Sequence, residues 1–257
     1  DMAMYFAKKH GKNQYKIFDD DIAEDIYFRK KLSEKLKLAI TNERFHLNFM
    51  PIYQCGTRNI VRAEILLRTR DPAFHGIGPD VYIPIAEEFN LIHDIDMWVI
   101  ETSFKIINDN KGWLNQSPIT FYINISAIEL RHAKFVEKLN ELLVQYKIPA
   151  HCIELEITET SLVVANEKSI STLKEIRALG VQLALDDFGT GYTAFNQLIH
   201  YPVNCLKIDK SFIDDLSVDN ETQIIMLNAI LSIAKAYKLD TVAEGIETQE
   251  QLTFMQT

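Results

Sequence analysis

The strongest constraint in this sequence is an alternation. Short apolar runs at 45–53, 60–67, 119–125, 153–157, 181–185, 203–208 and 240–243 are mostly separated by stretches with a helical period, at 95–107, 130–146, 168–179 and 217–237. Parallel strands need a crossover of about a dozen residues or more, and these spacers supply it, so the pattern predicts a parallel sheet dressed with helices. The first two runs differ, because only residues 54–59, with Gly56 at their centre, lie between them. A hairpin and an antiparallel first strand are expected there. Upstream, Ile22, Ile26, Leu32, Leu36 and Ile40 recur among charges and predict a linker helix, with Lys30, Lys31, Lys35 and Lys37 on a solvated face.

Repeated strand and helix units fit a doubly wound sheet or a barrel, and the polar residues decide between them. Glu64, Asn124, Glu156, the pair Asp186 and Asp187, Lys207 and Glu244 each fall at or near the C-terminal end of a different apolar run. In a barrel those ends converge on one mouth, whereas in an open sheet they spread along an edge. A barrel is therefore expected, one strand short of eight.

Composition enters where it restricts partners. The formal charge of −9 argues against a surface built to hold a nucleic-acid polymer, which needs a basic excess. Cys55, Cys152 and Cys205 are odd in number and far apart, which fits reduced thiols in the cytoplasm and no thiolate metal site. No run approaches the roughly 20 apolar residues that cross a bilayer, so direct membrane insertion is not expected. The sequence starts mid-pattern, so a longer parent with its own anchor remains compatible with it.

Carboxylates gathered at one mouth repel one another unless cations sit between them. The donors are hard oxygens, and none of the seven histidines lies at a strand end, so Mg2+ or Mn2+ suits the set better than Zn2+. Adjacent Asp186 and Asp187 leave a strand end in different directions and could serve two ions, an arrangement that clamps both oxygens of an in-line phosphoryl displacement. Two dications and the Lys207 ammonium would balance the charges of Glu64, Glu156, Asp186, Asp187 and Glu244. An anionic phosphodiester would then meet a neutral centre and Arg68, a fork donor four residues after Glu64. Plainer roles exist for some of these groups: Asn124 with Ser126 could cap a following helix, and Glu159 could accept from a neighbouring loop. The segment Phe188-Gly-Thr-Gly-Tyr192 has the composition of a phosphate cradle between a strand and a helix.

The order of motifs resembles the EAL-domain phosphodiesterases of bacterial cyclic di-GMP signalling. The matching segments are Ala63-Glu-Ile-Leu-Leu-Arg68, Tyr122-Ile-Asn-Ile-Ser126, Glu156-Ile-Thr-Glu159, Leu185-Asp-Asp-Phe-Gly-Thr-Gly-Tyr192, Lys207-Ile-Asp-Lys-Ser-Phe212 and Ala243-Glu-Gly-Ile-Glu247. Residues 1–15 also resemble the closing segment of a GGDEF diguanylate cyclase domain. The resemblance divides the chain into a GGDEF remnant at 1–18, a linker helix at 19–43 and an EAL domain at 44–257 that stops before the family's last strand.

That resemblance implies a modified TIM (β/α)8 barrel with an antiparallel first strand, hydrolysing cyclic di-GMP to linear pGpG with two Mg2+ or Mn2+ ions. It implies that Glu64, Asn124, Glu156 and Asp186 hold the first metal and Asp187 the second. Lys207 would position the water, Glu244 would act as general base or second-metal partner, and Arg68 with Leu66 would bind substrate. Glu159 would tether the loop 188–192, with Glu247 in support. A homodimer, and GGDEF and sensor domains upstream in a parent compatible with membrane anchoring, are further implications. The sequence departs from the family at Ile65 for Ala, at Met50 for an amide that could contact the dinucleotide, and at Glu129 for a frequent Gln. Two other functions fit parts of the pattern: a cyclic di-GMP receptor without catalysis, and an enolising barrel enzyme with Lys207 as base. Only the phosphodiesterase and receptor readings account for the ordered motifs.

Overall fold

The computed structural model describes residues 20–114, 118–159, 161, 167–190, 201–214, 216 and 221–256. The stretch 1–18, expected to be a GGDEF remnant, lies outside the described residues. The chain forms two compact units, one holding residues up to 46 together with 68–95, the other 47–67 and the residues from 96 onward.

In the first unit, helix α1 (Asp20–Thr41) buries Ile22, Leu32, Leu36 and Ala39, much as the apolar spacing predicts, while Tyr27 and Leu38 face solvent. Helix α2 (Pro79–Glu88) buries Tyr82, Ile85 and Ala86. Arg29 ties the two helices, bonding Asp25 at 2.8 Å on its own helix and Glu88 at 3.1 Å on α2. The Tyr82 ring packs edge-on against Phe74 at 5.8 Å. The sequence did not predict α2, because Pro84 sits inside it and Gly78 and Pro79 open it. Proline removes one intrahelical donor and masks the period, yet Pro79 occupies the first turn, where that donor is unpaired anyway.

The second unit holds a sheet of strands β1 (Phe45–Tyr53), β2 (Ile60–Thr69), β3 (Thr120–Asn124), β4 (Ile153–Thr158), β5 (Gln182–Phe188), β6 (Cys205–Ile208) and β7 (Asp240–Ala243), with all but the outer ends of β1 and β2 inside it. Its order is sequential, with seven strands among the described residues, and β2 to β7 pair in parallel. The short hairpin between β1 and β2 makes that pair antiparallel, closed by Gln54 N–H donating to the Asn59 carbonyl at 2.8 Å. Helices α3 (Ile92–Asp109), α4 (Phe135–Gln145), α5 (Glu167–Ala178) and α6 (Glu221–Tyr237) fall where crossovers are required, and α7 (Gln249–Phe254) follows β7. Residues 217–220 of the helix predicted at 217–237 lie outside the described residues. This is the modified TIM-barrel fold class expected from the sequence.

Cross-sheet contacts demonstrate the curl. Neighbouring strands lie about 4.8 Å apart, so β2 and β7 would be separated by more than about 20 Å in a flat sheet. Yet Arg62 Nη2 on β2 reaches Asp240 Oδ2 on β7 at 2.6 Å. Side-chain alternation then stacks the inward residues in layers. The lowest holds Arg62, Glu154 and Asp240. Above it Tyr122, Ala184, Cys205 and Val242 form an apolar plug against Ile52.

Glu154, in that lowest layer, is nearly inaccessible, and its Oε1 has no hydrogen-bond partner. Burial pushes its carboxyl up to about 7, against the pull of Arg62, from an ordinary 4.5. The folded chain therefore binds more protons than the unfolded chain between those values. Stability from this group is full below 4.5 and is lost as pH rises through 7. Glu154→Gln is expected to stabilise the protein by about 1–3 kcal/mol at about pH 8 and by almost nothing at about pH 4. Urea midpoints at the two pH values check this, and an equal shift at both would show that Glu154 does not titrate in this range.

Candidate active site

Above the plug, the same alternation brings the C-terminal ends of five strands and the residue after β7 into one cluster. Glu64 follows Arg62 by two positions on β2, Glu156 follows Glu154 on β4, Asp186 follows Ala184 on β5 and Lys207 follows Cys205 on β6. Asn124 ends β3, and Glu244 follows β7 with its N–H bonded to the Ile208 carbonyl at 3.1 Å.

Lys207 is the hub. Its Nζ, 1% exposed, lies 2.7 Å from Glu156 Oε1, 2.8 Å from Glu244 Oε1, 3.1 Å from Asp186 Oδ1 and 3.5 Å from Glu64 Oε2. Burial alone would drive the proton off this ammonium, but the carboxylates, Glu156 foremost, outweigh it and hold Lys207 charged. One ammonium cannot neutralise them all. Burial raises the Glu156 carboxyl well above its usual range despite Lys207, and Glu244 and Asp187 are raised as well, burial leading in each case. This is a set of groups that gains from further positive charge.

The donors fit a divalent cation on their own chemistry. Glu156 Oε2 is buried and lacks a hydrogen-bond partner, which is costly unless something charged faces it. Asn124 Nδ2 donates to Glu64 Oε1 at 3.2 Å, so this amide orients a cluster carboxylate and does not serve as a helix cap. Ser126 instead gives its N–H to Asp96 Oδ2 at 3.1 Å. Ligand oxygens of Asp186, Asp187 and Glu244 lie within 4.8 Å of one another, a second grouping able to hold an ion.

Asp187 owes its position to a break in the sheet. Strand β5 runs past the predicted end at Leu185 to Phe188, and its register with β6 shifts between those two residues. Asp187 takes a left-handed backbone, φ 54°, which turns its side chain out of the Asp186 alternation. Such a conformation costs about 1 kcal/mol or more outside glycine, and local bonds hold it. Thr190 Oγ1 donates to the Asp187 carbonyl at 2.8 Å, and Gly189 N–H donates to Glu159 Oε2 at 2.8 Å. A side chain at Gly189, φ 98°, would strike the Phe212 ring at 2.5 Å, so the loop can only close here on glycine. Gly191 and Tyr192, the rest of the expected cradle, lie outside the described residues.

Leu66 and Met50 line a cavity of about 770 Å3 whose floor includes Glu64, Asp186, Lys207 and Glu244. Arg68 shares the inward parity of Glu64 and Leu66 on β2 and belongs to the first unit. Glu247 is not drawn into the cluster. It is exposed, and its N–H donates to Gln251 Oε1 at 2.8 Å beside the capping box of α7. Sequence reasoning did not single out the cavity wall contributed by Tyr53, Arg58 and Lys210, because Tyr53 and Arg58 lie in no matched segment and Lys210 lies in one without a role assigned to it.

The family described as EAL domain matches residues 33–257, beginning inside α1. Among curated proteins, the chain is 33% identical over 249 residues to the biofilm architecture maintenance protein MbaA of Vibrio cholerae, covering 97% of this chain and 31% of MbaA. It is 31% identical over 258 residues to MucR of Pseudomonas aeruginosa, named a bifunctional diguanylate cyclase/cyclic di-GMP phosphodiesterase, covering 99% of this chain and 37% of MucR. The chain thus spans about a third of the length of these relatives. Among solved structures, the MucR phosphodiesterase in complex with c-di-GMP superposes with TM-score 0.79 at 30% identity, over 88% of this chain and 90% of that one. The EAL enzyme Bd1971, bound to cAMP and cyclic-di-GMP, gives TM-score 0.84 at 27% identity, over 92% of this chain and 64% of that one.

Proposed function

This chain belongs to the EAL domain family, and from that premise we propose that it hydrolyses cyclic di-GMP to linear pGpG. The observation that carries the reading is the cluster itself: Glu64, Glu156, Asp186 and Glu244 converge on Lys207 at the floor of a cavity large enough for a dinucleotide.

In this reading Glu64, Asn124, Glu156 and Asp186 would hold one Mg2+ or Mn2+ ion and Asp187 a second, with Glu244 either the partner of Asp187 or the general base. When bound, such ions supply Lewis-acid stabilisation of the phosphoryl oxygens and a nucleophilic water at neutral pH. The chain's own groups do the rest. Lys207 keeps its proton and donates it as a hydrogen bond, orienting the attacking water from below. Glu244, raised by burial and at the cavity edge, is placed to accept a proton from that water. Arg68 and Leu66 bind the phosphodiester, and Glu159, through Gly189, fixes the loop that carries Asp187. Glu247 supports the turn after Glu244.

We assign residues 1–18 to the end of a GGDEF domain, 19–43 to a linker helix and 44–257 to the EAL domain, working as a cytoplasmic homodimer under upstream domains. No helix among the described residues is long and apolar enough to cross a membrane.

The test is a time course of cyclic di-GMP conversion in Mn2+ and after excess EDTA. Metal-dependent accumulation of pGpG that stops with EDTA is expected. Intact substrate beside calorimetric binding would overturn the enzyme reading in favour of a receptor.

A further inference from the structure

Lys207 is buried and carries three N–H donors, and its three shortest contacts, to Glu156, Glu244 and Asp186, are enough to use them. Those acids belong to the cluster above the plug. Beneath the ammonium lies the plug layer of Tyr122, Ala184, Cys205 and Val242, and Cys205 is one strand period below Lys207 on β6 itself. Three of these four residues are small or aliphatic and offer a cation little. The fourth presents a fully buried aromatic ring, whose centroid lies 5.9 Å from Lys207 Nζ.

Tyr122 is itself braced at two points. Its hydroxyl donates to Cys205 Sγ at 3.3 Å, which ties the tip of the ring to the strand that carries Lys207. The Arg62 guanidinium lies 5.8 Å from the same ring centroid, and Arg62 is fixed in turn by Asp240 Oδ2 at 2.6 Å, with Glu154 Oε2 3.9 Å away. In the stacking of layers the ring therefore stands between the guanidinium below and the ammonium above. An aromatic face attracts a cation most strongly where water is excluded, and an aliphatic side chain in its place would fill the space without that attraction.

We propose that Tyr122 is a positioning residue for the reaction: its buried ring is the floor on which the Lys207 ammonium rests, and it keeps that group at the height from which it orients the attacking water. The proposal rests on the phosphodiesterase reading and deepens it. Lysine presents a point charge on a flexible four-carbon stem, so its position is only as fixed as its surroundings. The acids alone fix it poorly, because they lie in four directions and are the groups that gain from other cations, which would weaken their hold on the ammonium. The ring carries no net charge, is locked by Cys205 and Arg62, and attracts Lys207 whatever the state of the acids.

The experiment is a double-mutant cycle on the intact chain: kcat and KM for cyclic di-GMP in saturating Mn2+ for the wild type, Tyr122→Phe, Tyr122→Leu, Lys207→Met and the two double variants, with urea midpoints of all six in EDTA as a readout without turnover. Tyr122→Leu is expected to lower kcat by about five- to thirtyfold while KM moves less than about twofold. Tyr122→Phe keeps the ring and should retain kcat to within about threefold, the conservative variant rescuing what leucine loses. In the Lys207→Met background, where there is no ammonium to place, phenylalanine and leucine at position 122 should give the same kcat to within about twofold. Without metal, the midpoint gap between Tyr122→Phe and Tyr122→Leu should be wider beside Lys207 than in Lys207→Met. A loss in Tyr122→Phe as deep as in Tyr122→Leu overturns the proposal in favour of the hydroxyl, and a leucine loss of equal factor in both backgrounds overturns it in favour of core packing. Equal midpoint gaps in both backgrounds overturn the contact itself. A wild type without turnover overturns the phosphodiesterase reading and the catalytic role with it, and the urea cycle then still decides the contact between ring and ammonium.

Discussion

Lys207→Met is expected to cost the metal-free protein about 3–5 kcal/mol of stability at about pH 8 and to reduce turnover at least about a hundredfold. The side chain lengths match, so the packing beside Tyr122, whose ring centroid lies 5.9 Å from Nζ, is largely kept and the charge is what changes. Without the ammonium, Glu64, Glu156, Asp186 and Glu244 face one another with no internal cation, and each must protonate or repel. The sign with pH follows. The Glu156 and Glu244 carboxyls, already raised by burial, lose the opposing pull of Lys207 and move up further, so the folded chain binds more protons than the unfolded chain, and the variant loses stability as pH rises through them. At about pH 5 the deficit should shrink. Added Mn2+ should restore the variant's melting temperature by more than it raises the wild type's, because the ion replaces a missing charge. Thermal melts at two pH values, with and without Mn2+, check all three statements. A loss independent of both pH and metal would mean that Lys207 acts through packing.

The carboxylates and Lys207 were legible in the sequence because each ends an apolar run, and a period of two then decides which side chains share a face. Glu64, Glu156 and Asp186 follow Arg62, Glu154 and Ala184 by one full period, and the register pairs Asn124 with Glu156 as that reading needs. What was hidden lies where the backbone leaves its period. Strand β5 reads as ending at Leu185 because two aspartates and a glycine look like a turn, yet Phe188 still pairs with Ile208, and only the left-handed Asp187 between them reconciles the two. Helix α2 was masked by Pro84, whose cost is offset by burial of Tyr82, Ile85 and Ala86. The sharing of Lys207 among four acids was also unreadable, since proximity across the barrel depends on curl, and curl leaves no local pattern. Tyr53 and Arg58 carried no signal for a related reason: a hairpin tip acquires chemistry only from what the rest of the barrel places opposite it.

The cluster also separates charge from shape at Glu64, where Glu64→Gln is expected to reduce cyclic di-GMP turnover at least about a thousandfold with the fold intact. Glutamine retains an oxygen able to accept the 3.2 Å bond from Asn124 Nδ2, so the local geometry survives. Stability should change by less than about 1 kcal/mol, because Glu64 makes the longest of the four contacts to Lys207, at 3.5 Å, and its removal relieves repulsion among the remaining acids. What is lost is a hard anionic donor, and Mn2+ affinity should fall by about tenfold to a hundredfold or more. Calorimetric Mn2+ titration, a melting curve and kcat on the same preparation distinguish these effects. Full recovery of kcat at saturating Mn2+ would limit Glu64 to metal affinity. Recovery is expected to fail, because the ion would then sit in a site short of one negative charge, with the Lys207 ammonium still beside it and fewer carboxylates to balance the two.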